Sequence, residues 1–406
     1  MKKSIKKILA VVGASLALLS FVSCHDDIYS LIEKEVQIDQ SGFNGDISNI
    51  VHYGDYIFTC NGKIWAKTNQ PSNFTKRMNG QWFLINPPSN ELSDEKVRDV
   101  TYFLASDNQY LYALTYSWYE NEDGANKPKL ANIYVTDDKN PIDGLLWKKV
   151  DLLSSGFTSL YGVQKLIFDN KYRKITENEN LSLTYDFSER RAYAKLLTPS
   201  GYKIYRLNGE KTPLPLTDEI ILQPCLEPTV INGCYFNGRT YLSAYYAMTA
   251  NDNYLYYAQT YTYGNYGNIS TGSSIYYLGK TPDDVGFLNT NSSILSMAVA
   301  NDYILMGTTS GLARILLDPA TKKPAFGVKF NSNGGSIISE YVYMVFILDP
   351  SKNEDSAVNG TDEYAASTIY GSISSSSDSI ENVGLYAFYP GRFFNQTSGG
   401  WNRDGN

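Results

Sequence analysis

One two-part unit recurs along the chain, and it limits the folds open to it. A polar turn containing Asp leads into Tyr and alternating apolar residues in GDYIFTC (54–60), SDNQYLYAL (106–114), NDNYLYYA (251–258) and NDYILMG (301–307). A second element starts with Ile-Tyr or Ile-Trp and ends at a polar turn with proline. It reads IWAKTNQP (64–71), IYVTDDKNP (133–141), IYRLNGEKTP (204–213) and IYYLGKTP (275–282). Bulky Phe74, Trp147 and Phe287 close three copies, and RILLDPATKKP (314–324) and STIYGSI (367–373) are weaker versions of the second element. Asp and Asn accept hydrogen bonds from turn amides, and strict alternation gives a strand two faces. Proline then interrupts the ladder before a further strand. Such a pair cannot bury its apolar faces alone and must stack on neighbouring copies.

The spacing of about 40 to 70 residues matches a four-stranded blade with variable loops. The expectation is an all-β chain, a β-propeller of six or seven blades with seven preferred, in which 226–246 (LEPTVINGCYFNGRTYLSAYY) supplies the seventh. A β-sandwich would not need the same order of elements repeated, and a β-helix would show a shorter period. The 34 Tyr and 17 Phe favour strands. EKEVQID (33–39) is expected to pair with GLYAFYP (384–390) and close the ring.

The first 24 residues give an address. Lys2, Lys3, Lys6 and Lys7 precede the uncharged stretch Ile8–Val22, which suits a secretory signal and falls short of the ~20 residues of a membrane span. Ser23 and Cys24 follow, resembling a bacterial lipoprotein signal in which Cys24 is lipidated; Phe21 stands where that motif usually has Leu. Two or more acyl chains, at about 0.8 kcal/mol per buried CH₂, make a stable anchor. The organisation expected is therefore a signal peptide (1–23), a lipidated tether (24–31) and one propeller-like domain (32–406). Asp26 and Asp27 after the anchor resemble the export tag of surface-displayed lipoproteins, so an outer-membrane, surface-exposed position is favoured over a periplasmic-facing one.

Net charge bounds the partners. The chain stands at −7, and loss of the signal removes four lysines and no acids, leaving 31 Lys+Arg against 42 Asp+Glu, or −11. An acidic body without a basic stripe argues against nucleic acid. With Cys24 committed to lipid, Cys225 and Cys234 are near enough in sequence to form a disulfide, and Cys60 is left as a buried thiol. The cysteines and two histidines lack zinc spacing.

Chemistry is sparse. His52, in IVHYGDY, reads as structural, and no nucleophile elbow, phosphate loop or HExxH accompanies it. Thr136, Asp138, Gly144 and Trp147 resemble in type the Asp-box of sialidase-type propellers, with an insertion between Asp138 and Gly144; that motif stabilises a turn. Asp137, Asp138, Asn140 and Asp143 form a weak calcium candidate whose EF-hand spacing fails by one residue. No cofactor is expected. The loops 119–130, 260–274, 350–364 and 372–383 are polar and turn-rich. They carry Tyr119, Tyr261, Tyr263, Tyr266 and Tyr364, side chains of the kind that binding loops use.

The signal, short tether and opening DDIYSLIEKEVQID…ISNIVHYGDYIFTCNGKIWAKT together resemble bacterial lipoproteins with a predicted β-propeller domain. What the resemblance implies is a fold and an address. The function expected is a lipid-anchored envelope protein that binds a protein or glycan through its loops without catalysis. A carboxylate-dependent glycan hydrolase or lyase is the alternative, since such enzymes need two acids across a sugar.

Overall fold

The computed structural model describes residues 47, 49–68, 82–88, 97–120, 126–152, 163–168, 191–198, 201–217, 219–222, 232–243, 246–263, 270–330, 340–348, 350, 369–373, 383–389 and 400–404. They form seven sheets that follow one another along the chain: the protein is a seven-bladed β-propeller. Blade 1 comprises β1 (Ile50–Tyr53), β2 (Tyr56–Cys60), β3 (Ile64–Thr68) and β4 (Phe83–Leu84). Blade 2 is β5 (Val97–Ser106), β6 (Leu111–Glu120), β7 (Asn126–Thr136) and β8 (Lys148–Lys149). Blade 3 holds β9 (Val163–Phe168), β10 (Ala192–Thr198), β11 (Gly201–Asn208) and β12 (Lys211–Pro215). Blade 4 has β13 (Glu219–Ile221), β14 (Asn232–Phe236) and β15 (Arg239–Ser243). Blade 5 contains β16 (Ala247–Ala250), β17 (Leu255–Tyr263), β18 (Ser270–Leu278) and β19 (Val285–Thr290). Blade 6 runs β20 (Ile294–Val299), β21 (Tyr303–Thr308), β22 (Gly311–Leu317) and β23 (Pro324–Phe330). Blade 7 is β24 (Val342–Ile347), β25 (Ile369–Ile373), β26 (Gly384–Tyr389) and β27 (Gly400–Arg403).

Six blades are antiparallel meanders in chain order, and their first strands touch from blade to blade, which places them innermost. Blade 4 departs from this. β14 and β15 form its inner hairpin, and β13, from upstream, lies parallel to β15 in the third position. The stretch 226–246 thus does supply a blade. The two sequence elements are mostly the second and third strands of a blade, but STIYGSI is the second strand of blade 7. The expected closure through 384–390 does not hold, because β26 is already paired on both edges, by β25 and β27. Residues 33–39 lie outside the described residues.

Burial explains the sequence pattern. A second strand is covered on both faces by neighbouring blades, so β21 is buried at every position and reads as near-continuous apolar sequence. The outer strand β19 is covered on one face and alternates. The core consists of layers between blades: Leu104, Leu111 and Ala113 pack on Val51, Phe58 and Cys60, and Ala247, Tyr256 and Ile275 pack on Ile304, Met306 and Ile315. At the seam between blades 7 and 1 the layer carries a buried ion pair. Lys67 Nζ lies 3.0 Å from Asp404 Oδ2, over the rings of Trp82 and Tyr370, while Trp82 Nε1 donates to Asp404 at 2.8 Å.

Candidate functional site

The meander gives the ring two unlike faces. On one, here the lower, lie the turns joining first to second and third to fourth strands. Tyrosines knit it together. Tyr53 Oη donates to Gln109 O and Thr136 O of blade 2, each at 3.4 Å. Tyr112 Oη donates to Asp107 Oδ2 at 3.0 Å and accepts from Gly209 N of blade 3 at 2.9 Å. Tyr256 Oη accepts from Asn251 Nδ2 at 3.1 Å and donates to Lys322 O of blade 6 at 2.7 Å. Asp107 and Asn251 also cap their own turns, accepting from the amides of Gln109 and Tyr110, and of Asn253 and Tyr254. Burial pushes all three phenols above their ordinary pKa, and the Asp107 carboxyl upward as well. Gly209 is needed for this contact: its φ is +61°, and a Cβ there would lie 2.9 Å from the Tyr110 ring. Beside Tyr256, between blades 5 and 6, Lys323 Nζ pairs with Asp284 at 2.8 Å, and Tyr254 Oη donates to the same carboxylate. Those two donors hold the Asp284 carboxyl below its usual range.

The upper face carries the hairpins joining second to third strands, and two of these stand out by length. The second strand is entered at Tyr56, Tyr110, Tyr254 and Tyr303 in blades 1, 2, 5 and 6, each closing the preceding turn. From there the hairpin ladder ends at Cys60↔Ile64 in blade 1 and Thr308↔Gly311 in blade 6. In blade 2 it continues to Glu120↔Asn126, and in blade 5 to Tyr263↔Ser270. At about 3.3 Å per residue, these two hairpins project some 15 Å further. Blades 2 and 5 are three steps apart in a ring of seven, close to opposite. Gly62 of the short blade 1 hairpin pairs with Thr101 of β5 through two 3.1 Å bonds, which marks the level above which blade 2 projects. Near it Tyr102, 39 % exposed, meets Tyr116 edge-on at 5.1 Å.

Of the sequence-derived residues, Tyr119 lies on β6 and Tyr261 and Tyr263 on β17, in the two projecting hairpins. Tyr261 is half-buried, its hydroxyl donating to Thr290 O at 3.0 Å. Cys24, Cys225, Tyr266 and Tyr364 lie outside the described residues. Cys234 is buried in β14. Cys60 is a buried free thiol, which burial pushes up to about 12. His52 is buried on innermost β1. The calcium candidates serve a turn: Asp138 Oδ1 accepts from Asn140 N, Asn140 Oδ1 from Ile142 N, and Asp143 Oδ2 from Asn140 Nδ2. Asp137 is exposed beside them, and among the described residues no metal-binding group of His, Cys, Asp and Glu is assembled. Thr136, Asp138, Gly144 and Trp147 belong to the same loop, where Trp147 packs on the layer between blades 1 and 2.

Sequence reasoning missed an aromatic row across blade 5: Tyr246, Tyr257, Tyr276 and Phe287. Their centroids are 5.6, 5.1 and 5.6 Å apart in order, the first two pairs stacked. Its signal was a bulky aromatic at matching positions of three consecutive strands.

No protein-family model matches the chain, and no curated protein does. Solved structures similar to it include prolyl oligopeptidase B from Galerina marginata bound to a 25mer macrocyclization substrate (11 % identity, 76 % of this chain and 46 % of that one, TM-score 0.35). PorZ, a surface component of the type-IX secretion system of Porphyromonas gingivalis, gives 11 % identity over 84 % of this chain and 56 % of its own, with a TM-score of 0.36. An α-L-arabinanase of Cellvibrio cellulosa complexed with arabinohexaose gives 8 % identity over 70 % and 96 %, with a TM-score of 0.29. The chain spans about half the length of the first two.

Proposed function

We propose that the protein is a non-catalytic binding propeller, held to the outer membrane by lipid on Cys24, whose upper face engages a protein or glycan partner. The observation carrying this reading is the pair of long hairpins from blades 2 and 5, close to opposite on one face. Tall Tyr-bearing elements around a ring give adaptable contact area at low entropic cost. The net charge of −7 fits a partner other than nucleic acid.

The test is cross-linking in intact cells with the chain as bait, comparing the native protein with one whose residues 116–131 and 260–273 are each replaced by Asn-Gly. Capture of the same partner by the native chain alone supports the reading; equal capture by both rejects it. Reducing ends released from a panel of glycans by the purified protein would favour the glycan hydrolase instead. Anchoring is read separately: a palmitate analogue should label the protein and fail to label Cys24→Ser. Protease added to intact cells then distinguishes a surface position from a periplasmic-facing one.

A further inference from the structure

The aromatic row of blade 5 lies on its blade 4 side, and exposure rises along it. Tyr246 is 6 % exposed, Tyr257 and Tyr276 are half-buried, and Phe287 on the outermost strand is 61 % exposed. Tyr257, Tyr276 and Phe287 are direct cross-strand partners, so they share one face at one level. Exposed Val285 flanks Phe287 on the same face.

Two residues further along each strand, the same face presents Gln259, Ser274 and Asn289, again in register. Ser274 Oγ donates to Asn289 Oδ1 at 2.7 Å, so the amide oxygen is held, and exposed Asn289 carries two further amide donors. The next level is Tyr261 opposite Gly272. A Cβ on Gly272 would lie 2.9 Å from the Tyr261 ring, so that ring lies across the glycine. The face therefore alternates aromatic, amide and aromatic levels, and it runs without a break into the projecting hairpin.

We infer that this face is a glycan-binding shelf, taking a neutral oligosaccharide. Exposed rings offer flat apolar area for the C–H face of a sugar, and the intervening amides match its hydroxyls. Neither chemistry alone would select a sugar; their alternation at adjacent levels does. The three levels carry no charged side chain, in a chain of net charge −7. Charge complementarity thus points away from polyanions and toward an uncharged polyol. The inference rests on the binding reading above and names the ligand class for its blade 5 side.

The experiment is calorimetric titration of the mature chain, expressed without its signal, with neutral hexasaccharides of gluco, manno, xylo, arabino and galacto configuration. At least one should bind, and Phe287→Ala and Asn289→Ala should each weaken it about tenfold or more. Because both residues are exposed, unchanged circular dichroism and Tm will certify the variants. Leu214→Ala, at an exposed position on the outer strand of blade 3, should leave this binding intact. No binding by any member overturns the inference, as does binding indifferent to both substitutions. Binding abolished by the Asn-Gly replacement of 116–131 in blade 2 alone would keep the upper-face reading and overturn the shelf. A preference for anionic oligosaccharides or peptides at Phe287 would overturn the neutral-glycan assignment.

Discussion

At residue scale, Asp107 and Asn251 occupy equivalent turns, yet they face their tyrosines with opposite hydrogen-bond polarity. In blade 2 the neighbouring blade offers a donor, Gly209 N–H, so Tyr112 accepts it and gives its proton to an acceptor-only carboxylate. In blade 5 the neighbour offers an acceptor, Lys322 C=O, so Tyr256 donates outward and needs a donor behind it, which the Asn251 amide supplies. Asn251→Asp would then set two acceptors on one phenol proton. We expect it to cost about 1–3 kcal/mol at neutral pH in denaturant titration, shrinking on acidification as protonation restores a donor. Tyr112→Phe should cost a similar ~1–3 kcal/mol, because it strands the buried Gly209 amide. Asp107 also contributes a pH dependence. Its folded pKa is raised by burial, so the folded chain keeps a proton that the unfolded chain has released. Its share of stability is complete below the unfolded pKa and falls as pH climbs through the folded one. Unfolding midpoints of native and Asp107→Ala protein measured across the acidic range should diverge accordingly.

At the scale of elements, legibility followed how each strand is held. Second and third strands were readable because an Asx-capped turn, a Tyr and an apolar run leave a local signature, as in NDNYLYYA and NDYILMG. Outer strands such as β4 and β8 have two residues each and no such signature. β13 was hidden because its parallel partner β15 is remote in sequence. The tyrosines were half understood. Those on loops suggested contact with a partner, whereas Tyr53, Tyr112, Tyr193, Tyr256, Tyr303 and Tyr370 are fully buried. A sequence shows Tyr spacing but not which phenol meets the next blade. The projecting hairpins were legible only as long polar loops; their ladders show strand continuing well above the rim. Because these upper parts are paired within their own blade, shortening blade 2 by the Asn-Gly replacement of 116–131 should shift Tm by no more than a few degrees. Gly272→Ala should do the reverse, since its Cβ would sit 2.5 Å from the Thr290 carbonyl oxygen. An overpacking cost of about 1–3 kcal/mol is expected, and weaker glycan binding as Tyr261 is displaced.

For the whole molecule, the seam between blades 7 and 1 decides integrity. Lys67 and Asp404 are both buried, so removing either withdraws a 3.0 Å charge contact from the interior. Lys67→Met should cost about 3–5 kcal/mol, and adding Asp404→Leu should recover much of that, since a buried pair is often close to neutral against an apolar replacement. Chemical denaturation of the two variants measures the difference. Each of the six meander blades is built from consecutive strands, and blades 1 and 7 meet at the seam through side chains. Covalent continuity is therefore interchangeable with this clasp. Joining the ends by a flexible linker and reopening the backbone between β19 and β20 would leave every sheet whole, so a circularly permuted chain should regain the same ring.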